Sequence, residues 1–513
     1  MIYFINEGLS ASNSGIEHAE FDRARLFRKA GIPFQLMTTN YLPKLHEVLP
    51  MFNLRDIESC NLFDYFQKAR TVKTKKLDLS EIDFGMDADL EKQTETSYVA
   101  TVKGYLIGRV QVDVNGRLER IEYFEGCGNL YKVETYDVRG FKSLTQFYSP
   151  DNNVEVEIWH DVDGKPAIEK TYALTTHGKV VETWKINNRI FYNLQSVRQY
   201  FYNCVNADGN NMFIMDRANV SEWQLTKLDK PAYIVFMLHN HQSSDAQNPD
   251  AEILNDNYEW VLANMDKWNC VVSATPQQTR DVSKRWPGHK YYTIPVGVIP
   301  DLAFQEPHIP MAKRKRHSML VTARIAREKG IDKMIEALAI AQKKIPDLTL
   351  DVYGYVDHSN DDAAMRAINE ARKKLKNPKS FTLHGHTNNV KALHQQAQVY
   401  LVYSQMEGFN LAMMEAQSVG MVGLTNDVNY GPNELVKDGQ NGYIAPFDDV
   451  NAYAQKMVDL FSDDDKLQQL SDGAYELSNR YCDDAVLKAW NDVMHDYQKW
   501  AQEQHQMSVI DGK

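Results

Sequence analysis

Val399-Tyr400-Leu401-Val402-Tyr403 runs directly into Ser404-Gln405-Met406-Glu407-Gly408-Phe409-Asn410-Leu411-Ala412-Met413-Met414-Glu415-Ala416. The first part is an unbroken apolar run, the pattern of a strand buried on both faces; the second opens a helix. Strand, short loop and helix in that order form the unit of a doubly wound α/β sheet, which binds ligands beyond the carboxyl ends of its strands. The loop has the physics of an anion site, because a helix N-terminus offers unpaired N–H groups and Gly408 admits a phosphate close to the backbone. Glu407 stands just before the helix, where it can face a sugar. Glu415 lies about two turns further on and is expected to point the same way, toward ribose hydroxyls.

A second unit of the same kind lies upstream, at Val321-Thr322-Ala323-Arg324-Ile325-Ala326-Arg327-Glu328-Lys329-Gly330. It too follows a strand and precedes a helix. Arg324 as a planar fork and Lys329 as a point charge suit a diphosphate. Either feature alone reads as ordinary solvated helix-end charge. Together, each at the C-terminal end of a strand in one domain, they point to one ligand.

Outward from this pair the chain alternates strand and helix signals in two blocks. Ile2 to Ile5, a helix over Glu17 to Ala30 and Phe34 to Met37 open the first, and Pro231 to Leu238, Val271 to Ala274 and Tyr291 to Ile294 resume it. Between them, period-2 runs such as Val110 to Val114 and Val154 to Trp159 are joined by Asn115-Gly116 and Asp163-Gly164, and a further strand pair flanks His177-Gly178. Such turns between alternating runs indicate an antiparallel meander. The expected organisation is therefore 1–70, first part of an N-terminal Rossmann-like domain; 71–195, inserted β-meander; 196–312, second part of that domain; 313–482, a C-terminal Rossmann-like domain; and 483–513, a helix packing back on the body through Val486, Trp490, Val493, Tyr497 and Trp500. Pro300 to His317 reads as an interdomain linker.

The 513 residues are 43% hydrophobic and 25% charged, which excludes a mainly disordered chain. A net charge of −12 argues against a protein that holds nucleic acid through phosphate contacts. Cys60, Cys127, Cys204, Cys270 and Cys482 are scattered without metal-ligand spacing, as for reduced thiols in a reducing compartment. Asp161-Val162-Asp163 spells a DxD but falls in a turn signal. No apolar run is long enough to span a bilayer, and the N-terminus lacks the features of a signal peptide. A cytoplasmic protein is expected.

The chain resembles the family 4 retaining glycosyltransferases, whose GT-B fold sets two Rossmann-like domains face to face. The resemblance rests on the R-x4-K of Arg324 and Lys329 and the E-x7-E of Glu407 and Glu415, with Ile294-Pro295-Val296-Gly297, Leu383-His384-Gly385 and Asp438-Gly439-Gln440-Asn441-Gly442-Tyr443. It implies that Arg324 and Lys329 hold the donor diphosphate and stabilise the departing UDP. It places Glu407 on the donor sugar, Glu415 on the ribose, and the backbone of Gly408, Phe409, Asn410 and Leu411 on phosphate and sugar. The resemblance also implies that Gly297, His384 and Gly385 belong to the same nucleotide-sugar site. Ser14-Gly15-Ile16-Glu17 corresponds to a small-residue loop, with Gly15 near donor phosphate or acceptor. After the strand ending at Leu238, either His239 or His241 suits a histidine that touches donor sugar and acceptor, with a slight preference for His241. The family needs no metal or other cofactor, only the donor, here UDP-glucose or UDP-N-acetylglucosamine.

A meander inserted between the first α/β units narrows the resemblance to two groups. One decorates polyol-phosphate (teichoic acid) polymers, and Asn429-Tyr430-Gly431-Pro432 resembles it more. The other puts N-acetylglucosamine on Ser/Thr of serine-rich adhesins with a partner subunit. Sugar transfer to a polyol-phosphate polymer is the first expectation and protein O-glycosylation the second. A non-catalytic binding or chaperone subunit is the alternative of a different class. The expected partners are the donor, one of these acceptors, and further copies or a homologous subunit, with no nucleic acid. The run Lys313 to His317 is either solvated or attracts a polyphosphate acceptor or an anionic membrane face, so membrane contact is at most peripheral.

Overall fold

In the computed structural model, residues 1–77, 79–176 and 178–511 are described; His177, in the expected hairpin turn, lies outside them. The chain divides into two compact units, Met1–Ile234 with the residues from Gln506 on, and Val235–His505.

In the first unit, Ile2–Asn6 pairs in parallel with Phe34–Thr38 and Asn211–Met215, and Ser59–Asn61 adds beyond Phe34–Thr38. All three longer strands are buried throughout, as their apolar runs require. The helix Gly15–Lys29 starts at a capping box in which Ser14 and Glu17 satisfy each other's backbone N–H groups.

The meander is a single antiparallel sheet of ten strands in strict chain order, from Asp89–Thr94 to Arg189–Phe191. Gly116 and Gly164 sit at its turns with φ of +72° and +81°, values a β-carbon resists. Trp159 stacks on Trp184 with centroids 5.5 Å apart and meets Phe63 and Tyr41 edge-on or tilted. Gln67 donates from Nε2 to the carbonyls of Ser143 (2.9 Å) and His160 (2.7 Å). The buried Arg139 bonds Asp64 at 2.7 Å. These aromatic and hydrogen-bonded contacts fix the meander to the first α/β elements of its own unit.

The second unit begins within the strand Ala232–Leu238, whose residues from Val235 pair in parallel with Cys270–Ser273, itself paired with Tyr291–Thr293. Its larger sheet is parallel and six-stranded, in the order Phe381–His384, Thr349–Tyr353, Ser318–Thr322, Val399–Val402, Val422–Asn426, Gly442–Ala445. Chain order reverses between Ser318–Thr322 and Val399–Val402. That reversal is a topological switch point, where the loops of neighbouring strands part and leave a crevice.

The final helix, Asp483–Asp511, buries Val486, Trp490 and Val493 on one face and receives Lys290 Nζ on Asp496 at 2.6 Å. The basic stretch before the six-stranded sheet departs from the linker reading. Lys313, Lys315 and Arg316 are exposed, but Arg314 is buried. Its guanidinium donates to the carbonyls of His394 (2.8 Å), Ala397 (2.9 Å) and Val419, satisfying chain ends that burial would otherwise leave unpaired. Alternating charge and burial, invisible in a run of basic letters, makes this segment part of the body. Among the described residues no helix is long and apolar enough to cross a membrane, and no group of three or more His, Cys, Asp or Glu could hold a metal ion.

Candidate active site

The loops after Ser318–Thr322 and Val399–Val402 leave adjacent strands at the switch point and meet over a cavity of about 620 Å³ within the second unit. Arg324, Lys329, Glu407, Gly408 and His239 line it. The loops are joined directly. Gln405 N donates to Glu328 O at 2.8 Å, and Gly330 takes φ +60° with its missing β-carbon aimed 2.2 Å from Tyr403 O. Any other residue at 330 would force them apart.

Lys329 Nζ lies 2.7 Å from Glu407 Oε1. That oxygen also accepts from Ser404 Oγ at 2.6 Å and Asn410 Nδ2 at 3.2 Å. Arg324 is paired with both Glu328 and Asp357. The two cations thus lie on the cavity wall held by carboxylates, in positions where a diphosphate's oxygens can replace those partners. The backbone of Glu407 is fixed as well, since its carbonyl accepts from Tyr430 N at 2.7 Å.

Gly408 answers to close packing. A β-carbon there would sit 1.9 Å from His239 O, so the loop bearing Glu407 touches the chain leaving Ala232–Leu238. Phe409 faces inward, 4% exposed, with its ring edge-on to Tyr481. Asn410 caps the helix Leu411–Ser418. Gly297 packs against that helix, where a β-carbon would meet Met414 Cε at 2.5 Å and Leu411 Cδ2 at 2.6 Å.

The remaining expected residues do not line this cavity. Glu415 is exposed on the helix. Its two-turn spacing from Glu407 does not apply, because the helix begins only at Leu411. His384 and Gly385 lie at the carboxyl end of Phe381–His384, on the same edge of the sheet, with the His384 ring stacked on Tyr353 at 4.1 Å and Nε2 3.1 Å from Asp351. Gly15 belongs to the first unit, at the start of its helix.

The two histidines separate clearly. His239 is on the cavity wall. His241 is fully buried, stacked on Tyr430 at 4.7 Å. Its Nδ1 accepts from Ser243 N at 3.1 Å, and among the described residues its Nε2 has no hydrogen-bond partner. Burial lowers its pKa to about 4, so the ring is neutral near pH 7. Asn240, Ser244, Asp245, Asn426, Phe447 and Asp448 also line the cavity. None was singled out by sequence. Asn426 ends the strand next to Val399–Val402 and donates to Ser404 O at 2.9 Å, so the signal it offered was its place at a strand end.

Residues 306–477 match the family model described as "Glycosyl transferases group 1". This segment is a group 1 glycosyltransferase domain. It contains Arg324, Lys329, Glu407 and Glu415 and both loops over the cavity. Residues 12–197 match a second model, that of an accessory Sec system protein. Over 519 residues the chain is 27% identical to the UDP-N-acetylglucosamine--peptide N-acetylglucosaminyltransferase GtfA subunit of Streptococcus parasanguinis, covering 96% of this chain and 99% of that one. It is 24% identical to the poly(glycerol-phosphate) alpha-glucosyltransferase of Bacillus subtilis, covering 95% of this chain and 74% of that one. Among solved structures, the pneumococcal O-GlcNAc transferase GtfA in complex with UDP and GlcNAc superposes with TM-score 0.80 at 23% identity, covering 97% of this chain and 99% of that one. The fold around the glycosyltransferase domain is therefore α/β of the GT-B class, with an antiparallel meander in the N-terminal region.

Proposed function

We propose that this chain transfers a hexose from a UDP-sugar to hydroxyl groups with retention at the anomeric carbon. The observation that carries this reading is the meeting of Arg324, Lys329 and Glu407 on one cavity at the switch point of the group 1 domain. The two cations take the diphosphate and stabilise charge as the sugar C1–O bond breaks. The acceptor oxygen bonds C1 on the face that UDP leaves, and the departing phosphate takes the acceptor proton. Glu407 accepts a hydrogen bond from a donor-sugar hydroxyl. Glu415, His384, Gly385 and Gly297 serve the nucleotide side, and His239 or the unpartnered Nε2 of His241 serves the sugar. Neither metal nor cofactor takes part, so activity should survive EDTA.

For the acceptor we favour Ser/Thr hydroxyls of a serine-rich protein, with UDP-N-acetylglucosamine as donor and a homologous subunit or further copies as partner. The likeness to the GtfA subunit over nearly the whole of both chains supports this. So does the acidity of residues 71–195, where Asp and Glu outnumber Lys and Arg and would repel a polyphosphate. The second reading, transfer of glucose or N-acetylglucosamine to a polyol-phosphate polymer, is favoured by the Bacillus subtilis relative and by the exposed Lys313, Lys315 and Arg316. On either reading the chain works in the cytoplasm with at most peripheral membrane contact.

Radiolabelled UDP-N-acetylglucosamine and UDP-glucose, offered with a Ser-rich polypeptide, polyglycerol phosphate and polyribitol phosphate, test this. Label in the polypeptide alone supports the first reading, and label in a polymer alone replaces it with the second. If the chain neither transfers nor hydrolyses either donor, alone or with a homologous subunit, it is a binding subunit and the enzymatic reading is wrong. Hydrolysis lost in Glu407→Ala places the chemistry at this cavity.

A further inference from the structure

Glu407 is held through one oxygen only. Oε1 collects Lys329 Nζ, Ser404 Oγ and Asn410 Nδ2 at 2.7, 2.6 and 3.2 Å. Among the described residues no hydrogen bond is made to Oε2. The carboxylate is thereby oriented, with one oxygen tied to protein and the other available to a ligand hydroxyl.

The three donors are not equivalent. Lys329 is also a cation assigned to the donor diphosphate, and an ammonium drawn toward phosphate oxygens weakens its hold on Glu407. Ser404 and Asn410 have no competing anion. Asn410 holds its place by a two-sided arrangement. Its backbone is left-handed at φ +79°, its Oδ1 accepts from Met413 N at 3.0 Å as the helix cap, and its Nδ2 is thereby turned to Glu407. Glycine would meet the backbone requirement at this position with less strain, yet would supply no amide. A strained conformation kept by a side chain that reaches the site carboxylate points to a task at the site.

We infer that Asn410 is a positioning residue for Glu407, keeping its Oε2 directed at a hydroxyl of the donor sugar while Lys329 turns to the diphosphate. This rests on the UDP-sugar reading of the cavity and deepens it, because it assigns the sugar-orienting function to an amide that sequence reading credited only with backbone contacts.

Two variants separate this task from helix capping. Asn410→Gly keeps the left-handed backbone and removes the amide. Asn410→Asp keeps the capping oxygen but sets a second carboxylate beside Glu407. Binding of UDP and of UDP-N-acetylglucosamine by calorimetry, with kcat/KM for donor turnover, reads the outcome. UDP lacks the sugar, so its Kd should stay within about twofold of wild type in both variants. Affinity for the sugar nucleotide and kcat/KM should fall about tenfold in Asn410→Gly, the size of a hydrogen bond to a charged group, and at least as far in Asn410→Asp. Wild-type values in Asn410→Gly overturn the proposal. So does impairment of Asn410→Gly with wild-type behaviour of Asn410→Asp, which would leave only a cap. If wild type binds the sugar nucleotide without turning it over, the transferase reading fails while the binding comparison still decides the proposal. If wild type binds neither ligand, both fail.

Discussion

Replacing Gly408 by alanine tests the packing that underlies the site. The added β-carbon would lie 1.9 Å from His239 O, 2.5 Å from His239 C and 3.0 Å from Asn240 N, all backbone atoms that no rotamer change can move. Restoring an ordinary contact from 1.9 Å requires the two chains to separate by about 1.5 Å, more than the roughly 1 Å misplacement that costs a catalytic arrangement on the order of a hundredfold in rate. The loop that must move carries Glu407 together with its donors Ser404 and Asn410, while Lys329 Nζ reaches Glu407 Oε1 at 2.7 Å from a different loop, so it is this bond that a shift of that size breaks. Overpacking also costs about 1–3 kcal/mol of stability, a drop of a few degrees in Tm for a body of this size. Gly385→Ala is the matched control, since its β-carbon meets nothing within 4 Å. Donor hydrolysis and transfer, measured beside thermal melting, should show a hundredfold loss with a small Tm drop in Gly408→Ala and little change in melting in Gly385→Ala. Full activity and an unchanged Tm in Gly408→Ala would refute the reasoning.

Lys329→Ala should lower kcat/KM by about a hundredfold, since it removes a cation from the developing phosphate charge; steady-state kinetics against UDP-sugar checks this, and a loss under threefold removes Lys329 from the diphosphate site. His241 and His394, whose pKa values burial lowers to about 4, bind fewer protons folded than unfolded between that pH and the ordinary value of about 6.5. Stability is therefore full above that ordinary value and declines as pH falls from there toward 4, by on the order of 3 kcal/mol for each ring. Urea unfolding from pH 7.5 to 4.5 measures it, and ring NMR signals that titrate near 6.5 would contradict it. Trp159→Ala, which removes the indole stacked on Trp184 and meeting Phe63 and Tyr41, should cost about 3–5 kcal/mol, read as loss of the first unit's melting transition at its usual temperature.

Parallel strands such as Val399–Val402 and Ser318–Thr322 were legible because burial on both faces favours continuous apolar runs, whereas Asn211–Met215 was missed, and Ser59–Asn61, Phe381–His384, Val422–Asn426 and Gly442–Ala445 carry no run that sets them apart from loop in the sequence. The meander was legible from its turns, where Asn115-Gly116 and Asp163-Gly164 supply the positive φ that tight hairpins need. Arg324, Lys329 and Glu407 could be paired from sequence because each follows such a strand. What escaped was geometry set by neighbours distant in the chain. A helix that starts four residues after Glu407 cannot be separated from one that includes it by the letters alone, so the two-turn spacing of Glu415 from Glu407 does not carry over to the structure. The burial of Arg314 depends on three carbonyls from Ala397, His394 and Val419 converging on it. Whether His239 or His241 faces the cavity rests on a single residue's turn after Leu238, a distinction finer than any local preference resolves.

The pairing of Arg324 with Glu328 and Asp357, and of Lys329 with Glu407, makes the cavity nearly neutral before any ligand arrives. An incoming diphosphate trades places with carboxylates that are already there, so few condensed ions are freed from the protein on association. Ionic strength should then act on donor affinity far less than on a site of bare cations, where each contact adds its own dependence on salt. A dissociation constant for UDP that barely moves between 50 and 500 mM KCl (on the order of twofold) would mark an exchange site, selective for a ligand that can bridge both cations over any single small anion that could satisfy only one. A steep dependence would mean that the cations stand free in solution.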